Sequence, residues 1–578
     1  MSAVYDLADR YVRDYAVLDP VTAALWGVPG SETELTDYSP DGVAARASLA
    51  EQTLADLAAL PEPAGRDRLA ASVMRERLEA AGIAHDAGER LRDLRVLGSP
   101  FQTLRQAFDL MPTNTAAQWE AVASRLEKVP AALAGYRETL HTGLRRGLAA
   151  SRRQAIACAE QGRVWSDSDP GRGFFAGLVE RHHRAADGDG LSARLTAAAR
   201  AAATAYAEAA TWLETVYAPS AAAEDAVGID RYRIGVRVFL GTQLDLEETY
   251  LWGWEELHDI ETEMARLAEE IAPGRGLRGC VDLLESDPAR SIEGVDAFRQ
   301  WLQDVMDRAV QRLDGPHFDI AAPLHRVEAM IAPPGGPAAM YYTAPSDDFS
   351  RPGRTWYPTL GKTRFPLWSE MSTAFHEGVP GHHLQLAQVK YLQDELSRFQ
   401  RSLGFVSGHG EGWALYAERL MWELDLFEGP EYVLGMYAAA AFRAMRVIVD
   451  IGLHLQLTIP RGQTFHPGER WTWELALPFA IEHGWHGEQF LRSEVTRYLG
   501  MPAQAISYKV GEREWLSIRD ECRRRDGERF DLKAWHTRAL NLGPVGLRQL
   551  RREMLTVSDP EDVAAETGPD IQRTFDAS

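Results

Sequence analysis

The sequence predicts a mainly α-helical protein with one small β element, and two observations carry that expectation. Residues 115–149, 191–217 and 243–272 are rich in Ala, Leu, Glu and Arg, with apolar residues recurring at i, i+3, i+4. Residues 326–362 break that pattern, because prolines and glycines such as Pro333-Pro334-Gly335-Gly336 and Pro352-Gly353 separate short apolar runs.

Leu246, Tyr250, Trp254, Leu257 and Ile260 form one helical stripe, and Pro273-Gly274 ends that helix. The proline- and glycine-rich stretch reads as loops with a few short strands. It divides the 578 residues into a helical N-terminal part, 1–325, expected to form one side of a cleft, and a catalytic part, 326–556. The two parts can share one core. The polar, acidic tail, 557–578, is expected to be loosely ordered.

Acidic residues exceed basic ones, 84 to 62, and the formal net charge of −22 repels nucleic-acid phosphate. Three widely spaced cysteines, Cys158, Cys280 and Cys522, argue against a disulfide framework and fit a reducing compartment. Residues 1–19 read as an amphipathic helix rather than a signal peptide, so a cytoplasmic location is expected. The most apolar stretch, Val433 to Ile459, is interrupted by Arg443, Arg446 and Asp450, so no membrane span is expected. A monomer or homodimer acting on a small molecule, with neither nucleic acid nor membrane as partner, fits this composition.

The chemistry concentrates in Ser369–Gln385, SEMSTAFHEGVPGHHLQ. Ser369 is placed to cap a helix that carries His376-Glu377 near its end. In helical zinc hydrolases, His-Glu-x-x-His puts two imidazoles on one face, with the glutamate beside the metal-bound water as base. Here the i+4 residue is Pro380. On a regular helix His382, at i+6, points about 240° away, and His383, at i+7, lies about 10 Å along the axis. A bulge at Val379-Pro380-Gly381 would return one of them to the metal, with His382 favoured over His383. The third ligand is sought in FVSGHGEGWALYAERL, Phe405–Leu420, where Glu411, Glu418 and His409 are candidates. Glu418 reads better as a solvated residue or a partner to a ligand, and His409 as a loop residue near the cleft.

These residues resemble a known family. His376-Glu377-x-x-Pro380-Gly381-His382, followed by Glu411-Gly412-Trp413-Ala414-Leu415-Tyr416-x-Glu418, is similar to the bacterial domain-of-unknown-function 885 family, itself similar to the helical gluzincin metallopeptidases. The likeness continues through Arg443-Ala444-x-Arg446, Asp450, Gly452 and His454. It extends through Glu494-x-x-Arg497-Tyr498 and Pro502-x-Gln504-Ala505-x-Ser507-Tyr508-Lys509-x-Gly511 to Phe530-Asp531-Leu532-x-x-Trp535-His536, with Trp535 where the family usually has Phe. The resemblance covers about residues 5–556. It implies a large multi-helix, zincin-like fold with a deep central cleft. It also implies one zinc per chain, held by His376, His382 and Glu411, and leaves the substrate undefined.

The expectation is a zinc-dependent hydrolase of short peptides or peptide-like amides. Glu377 would be the general base, and Tyr508 the oxyanion donor that the gluzincin likeness implies. His454 and His536 are further candidates near the substrate. Among Arg443, Arg446 and Arg497, Arg497 would bind a substrate carboxylate, unless it pairs with Glu494 or Asp450. Tyr341 and Tyr342 would line the cleft on a strand edge that an extended peptide could join. The competing expectations are a zinc amidohydrolase of non-peptide amides and a non-catalytic binding protein of the same fold.

Overall fold

A computed structural model of the chain describes residues 2–25, 32–109, 111–185, 190–332 and 340–556. The Pro333–Gly336 run and the tail expected to be loose lie outside the described residues. The fold is mainly helical, as the periodicity predicts. The segment 115–149 forms helices Ala116–Leu126 and Val129–Arg145, and Gly190–Trp212 covers most of the second predicted stretch.

The third predicted stretch is α1, Leu246–Ile271. The Asp245 carboxylate caps it by accepting from the backbone N–H groups of Glu247 and Glu248 at 3.1 and 3.0 Å. Its predicted stripe is buried. Each such side chain withdrawn from water contributes about 1.5–3 kcal/mol.

Two pairings of short strands interrupt the helices. β1, Ser291–Glu293, pairs antiparallel with β5, Arg364–Pro366. Between them in sequence, β2 (Val327–Ile331), β3 (Tyr341–Thr343) and β4 (Gly353–Tyr357) form a three-stranded sheet in the order β2-β4-β3. β2 runs parallel to β4, with Val327 opposite Gly353, and β3 runs antiparallel to it, with Tyr342 opposite Thr355. β3 is therefore an outer strand.

Three residues beyond β5 the chain enters α2, Glu370–Glu377, then α3, His382–Tyr391, and α4, Ser407–Glu423. The remaining helices of interest are α5, Pro430–Leu455, α6, Glu488–Gly500, and α7, Ser507–Asp526. α5 packs along α1. By length and composition α5 could cross a membrane, but 67% of its most apolar window is buried inside the fold. There Arg446 pairs with Glu494 at 2.7 Å, Arg443 stands 4.0 Å from Glu418, and Asp450 accepts from the Tyr232 hydroxyl at 2.7 Å.

One hydrophobic core takes side chains from both sides of residue 325, from Val4–Leu78 and from Tyr232 through Met554. A second core is built within residues 38–221. The helices of the candidate site therefore rest on elements contributed by both predicted parts.

Candidate metal centre

α2 is short, and its end sets the geometry of the site. Ser369 precedes it as predicted, although its side chain makes no capping bond. The sequence suggests a bulge within a continuing helix, whereas the structure has a break: α2 stops at Glu377 and α3 begins at His382. The turn between them contains a cis peptide bond at Val379-Pro380. Gly381 N–H donates back to the Phe375 carbonyl at 3.0 Å, and His383 N–H to the Gly378 carbonyl at 3.0 Å. A Cβ on residue 381 would lie 2.0 Å from the His376 carbonyl oxygen, so only glycine fits there. The Trp413 indole N–H, from α4, donates to the carbonyls of Pro380 (2.9 Å) and Gly381 (3.2 Å) and ties the turn down.

The break achieves what a straight helix could not. The His376 and His382 rings lie 4.9 Å apart and nearly perpendicular, at 83°. Ligand atoms of His376, Glu377 and His382 all fall within 4.8 Å of one another. α4 brings Glu411 to the same point, with Oε2 3.6 Å from His376 Nε2 and 3.4 Å from His382 Nε2. Metal–ligand distances of about 2.0–2.2 Å put tetrahedral ligand atoms about 3.3–3.6 Å apart. Glu411 lies at such a spacing from both imidazoles.

On its other side His376 is held by Glu418, one Glu418 oxygen lying 2.8 Å from Nδ1. The Ser372 hydroxyl donates to the second Glu418 oxygen, and Arg443 Nη2 lies 4.0 Å from the first. Nδ1 is thus engaged and Nε2 turns to Glu411, the arrangement in which a carboxylate orients a metal-binding imidazole. Burial alone would lower the His376 pKa, but the carboxylates of Glu411 and Glu418 outweigh it and lift it to about 9. Burial likewise would raise Glu411, yet His376 and His382 hold it well below the usual carboxylate range. The cluster favours positive charge.

Other candidates are placed elsewhere. Both nitrogens of His383 are taken, Nδ1 by the Tyr342 hydroxyl at 3.0 Å and Nε2 by the Leu324 carbonyl at 2.8 Å. Burial lowers its pKa to about 4. His409, in the first turn of α4, lies with Nδ1 3.2 Å from Gln385 Nε2. His536 bonds the Tyr416 hydroxyl at 2.7 Å. His454 is fully buried with Nε2 3.1 Å from the Tyr498 carbonyl.

Arg497 donates to both Glu494 oxygens at 3.0 and 2.9 Å and to Gln504, the pairing within the fold that its sequence neighbours suggested. Tyr341 stacks on Trp356 with ring centroids 5.9 Å apart on the outer strand.

Tyr508 reaches the cluster from the first turn of α7. α4 and α7 cross closely, and a Cβ on Gly412 would lie 2.5 Å from the Gly511 backbone. That contact brings the start of α4, which carries Glu411, against the start of α7, which carries Tyr508 one turn before Gly511. Burial raises the Tyr508 pKa and the negative charge of Glu411 adds to it, opposed by Arg446, whose guanidinium lies 4.5 Å from the ring. The sequence reading did not foresee Ser372 and Trp413 as supports. Their signal is faint, since Ser372 is one turn before His376 and Trp413 is an indole two residues after a candidate ligand.

A family model described as "Bacterial protein of unknown function (DUF885)" matches residues 20–554. No match was found among curated proteins. Among solved structures, the chain is similar to "the putative lipoprotein from Colwellia psychrerythraea", at 21% identity and TM-score 0.79, over 95% of this chain and 98% of that one. It is also similar to "a putative lipoprotein of unknown function from Shewanella oneidensis", at 18% identity and TM-score 0.71, over 96% of this chain and 100% of that one. At these identities the likeness shows a shared fold.

Proposed function

We propose that this chain, which belongs to the DUF885 family of bacterial proteins, is a zinc-dependent hydrolase that cleaves the amide bond of short peptides or peptide-like molecules. One observation carries the reading. A carboxylate oxygen of Glu411 stands 3.4–3.6 Å from the Nε2 atoms of two histidines, beside a further buried carboxylate, Glu377.

The residues fit the metal. Two imidazoles and one carboxylate are a donor set suited to zinc, at the spacing a tetrahedral ion requires. His376, His382 and Glu411 would hold it, one ion per chain. When bound, zinc polarises a substrate carbonyl and acidifies water at the site. Glu377 takes a proton from the attacking water as its oxygen bonds to the carbonyl carbon. It then passes that proton to the leaving nitrogen as the C–N bond breaks. Tyr508, whose hydroxyl makes no hydrogen bond within the described residues, donates to the oxyanion that develops. Glu418 keeps the His376 ring in place through the cycle. The resemblance to gluzincins that the sequence motifs suggest points to the same ligands and base.

Glu377→Gln tests the reading. The variant keeps its metal and loses turnover of a panel of N-blocked and unblocked di- and tripeptides, followed by amine release. Equal turnover by wild type and variant removes Glu377 from the mechanism.

A further inference from the structure

Three arginines on neighbouring helices share too few carboxylates. Arg446, on α5, donates to Glu494 at 2.7 Å and to the Tyr498 hydroxyl at 3.0 Å, and Glu494 also carries both bonds from Arg497. One carboxylate therefore serves two guanidinium groups. Arg443, one turn earlier on the same face of α5, reaches only the Ala439 carbonyl at 3.1 Å and stands 4.0 Å from Glu418.

The deficit shows in single atoms. Arg446 Nη1 and Arg443 Nε are buried and have no acceptor. A buried donor left unpaired costs about 1–3 kcal/mol, and an incoming anion would remove that cost at both positions.

The position of this pair is informative. Arg446 is sandwiched between the Phe442 and Tyr508 rings, 4.2 and 4.5 Å from their centroids. Tyr508 in turn is within electrostatic reach of Glu411. Arg443 approaches Glu418, which holds His376. The arginines thus stand just behind the candidate metal cluster. Access is from Arg443, 16% of whose side chain is exposed, while that of Arg446 is 7% exposed. His486 is open to solvent with its ring 4.7 Å from Phe442.

We infer that Arg443 and Arg446 form an anion subsite that takes a free carboxylate of the substrate beside the metal cluster. A planar guanidinium with a spare N–H fits a carboxylate oxygen better than an ammonium would. The inference rests on the hydrolase reading for its substrate. It narrows that substrate to peptides or peptide-like acids with an unblocked carboxylate close to the scissile bond, which makes the enzyme act from the carboxyl end. It also moves the carboxylate role from Arg497, which is paired within the fold, to residues whose donors are not.

The test is calorimetric titration of the full, metal-depleted chain with N-acetyl-leucine and N-acetyl-phenylalanine against their carboxamides. Without metal, a carboxylate cannot be held by the ion, and no turnover is needed. So the outcome is separate from that of the hydrolase reading. The acids are expected to bind about tenfold tighter than the amides or better, and Arg446→Gln to abolish the preference. If Arg446→Gln melts well below wild type, Arg443→Gln gives the same readout. Equal affinities for acid and amide, absence of acid binding, or a preference that survives both substitutions overturns the inference and leaves the hydrolase reading with uncharged substrates.

Discussion

His376 has two ring nitrogens and two carboxylates facing them, and this pairing is where residue chemistry is most specific. Glu411 takes Nε2, the side shared with His382, while Glu418 takes Nδ1. Removing Glu418 leaves every proposed ligand in place but frees the ring to turn. Glu418→Ala is therefore expected to weaken zinc binding about 10–100-fold without unfolding the chain, as read by chelator competition and a thermal melt. An unchanged affinity contradicts the orienting role. His376, Glu377 and His382 were legible in the sequence because their spacing is chemically unusual. The preference for His382 over His383 was legible as well, but not the partners of His383, because Tyr342 and Leu324, which bind both its nitrogens, are distant in sequence. The same holds for the arginines: their burial can be read from the apolar residues around them, but which one keeps a spare N–H depends on how Glu494 is shared.

At the scale of elements, the decisive feature is the turn between α2 and α3. Helical geometry requires some distortion between His376 and His382. The sequence suggested a bulge because Pro380 and Gly381 break helices, but a complete stop followed by a new helix also satisfies that requirement. What selects the stop is tertiary: Trp413 from α4 binds the turn's carbonyls, and the return of Gly381 onto Phe375 leaves no space for a side chain. Gly381→Ala is expected to displace His382 and to reduce bound metal more than it reduces the melting temperature of the remainder of the fold. Full metal content in a folded Gly381→Ala protein contradicts the claim that this turn positions the ligand. The strands before α2 were foreseen as short and proline-bounded, whereas their order, with β3 outermost, depends on pairings between separate segments.

At the scale of the molecule, the helices of the candidate site stand on a core that both predicted parts supply. Asp450, near the C-terminal end of α5, is one of its polar ties: it accepts from the Tyr232 hydroxyl at 2.7 Å and from Ala503 N–H at 2.9 Å, joining three distant stretches of chain. Burial lifts its pKa from 3.8 to about 7, against the hydrogen bonds that oppose the rise. A carboxyl group with a raised folded pKa contributes stability below its unfolded pKa, and that contribution is lost as pH rises through the folded value. Asp450→Asn keeps an oxygen acceptor and cannot ionise. Its melting temperature relative to wild type is expected to improve as pH rises from about 4 to about 7. A difference that does not change with pH contradicts this account. The helical class of the whole was legible from periodicity alone, while the crossing of α4 and α7 at Gly412 and Gly511 was not.

The most direct test of the central claim is metal content, by plasma mass spectrometry, of untagged protein offered zinc and then dialysed. The account predicts about one zinc per chain, lost in His376→Ala and in His382→Ala and kept in His383→Ala. A wild-type protein that binds no metal, or one that loses it in His383→Ala while keeping it in His382→Ala, contradicts the account.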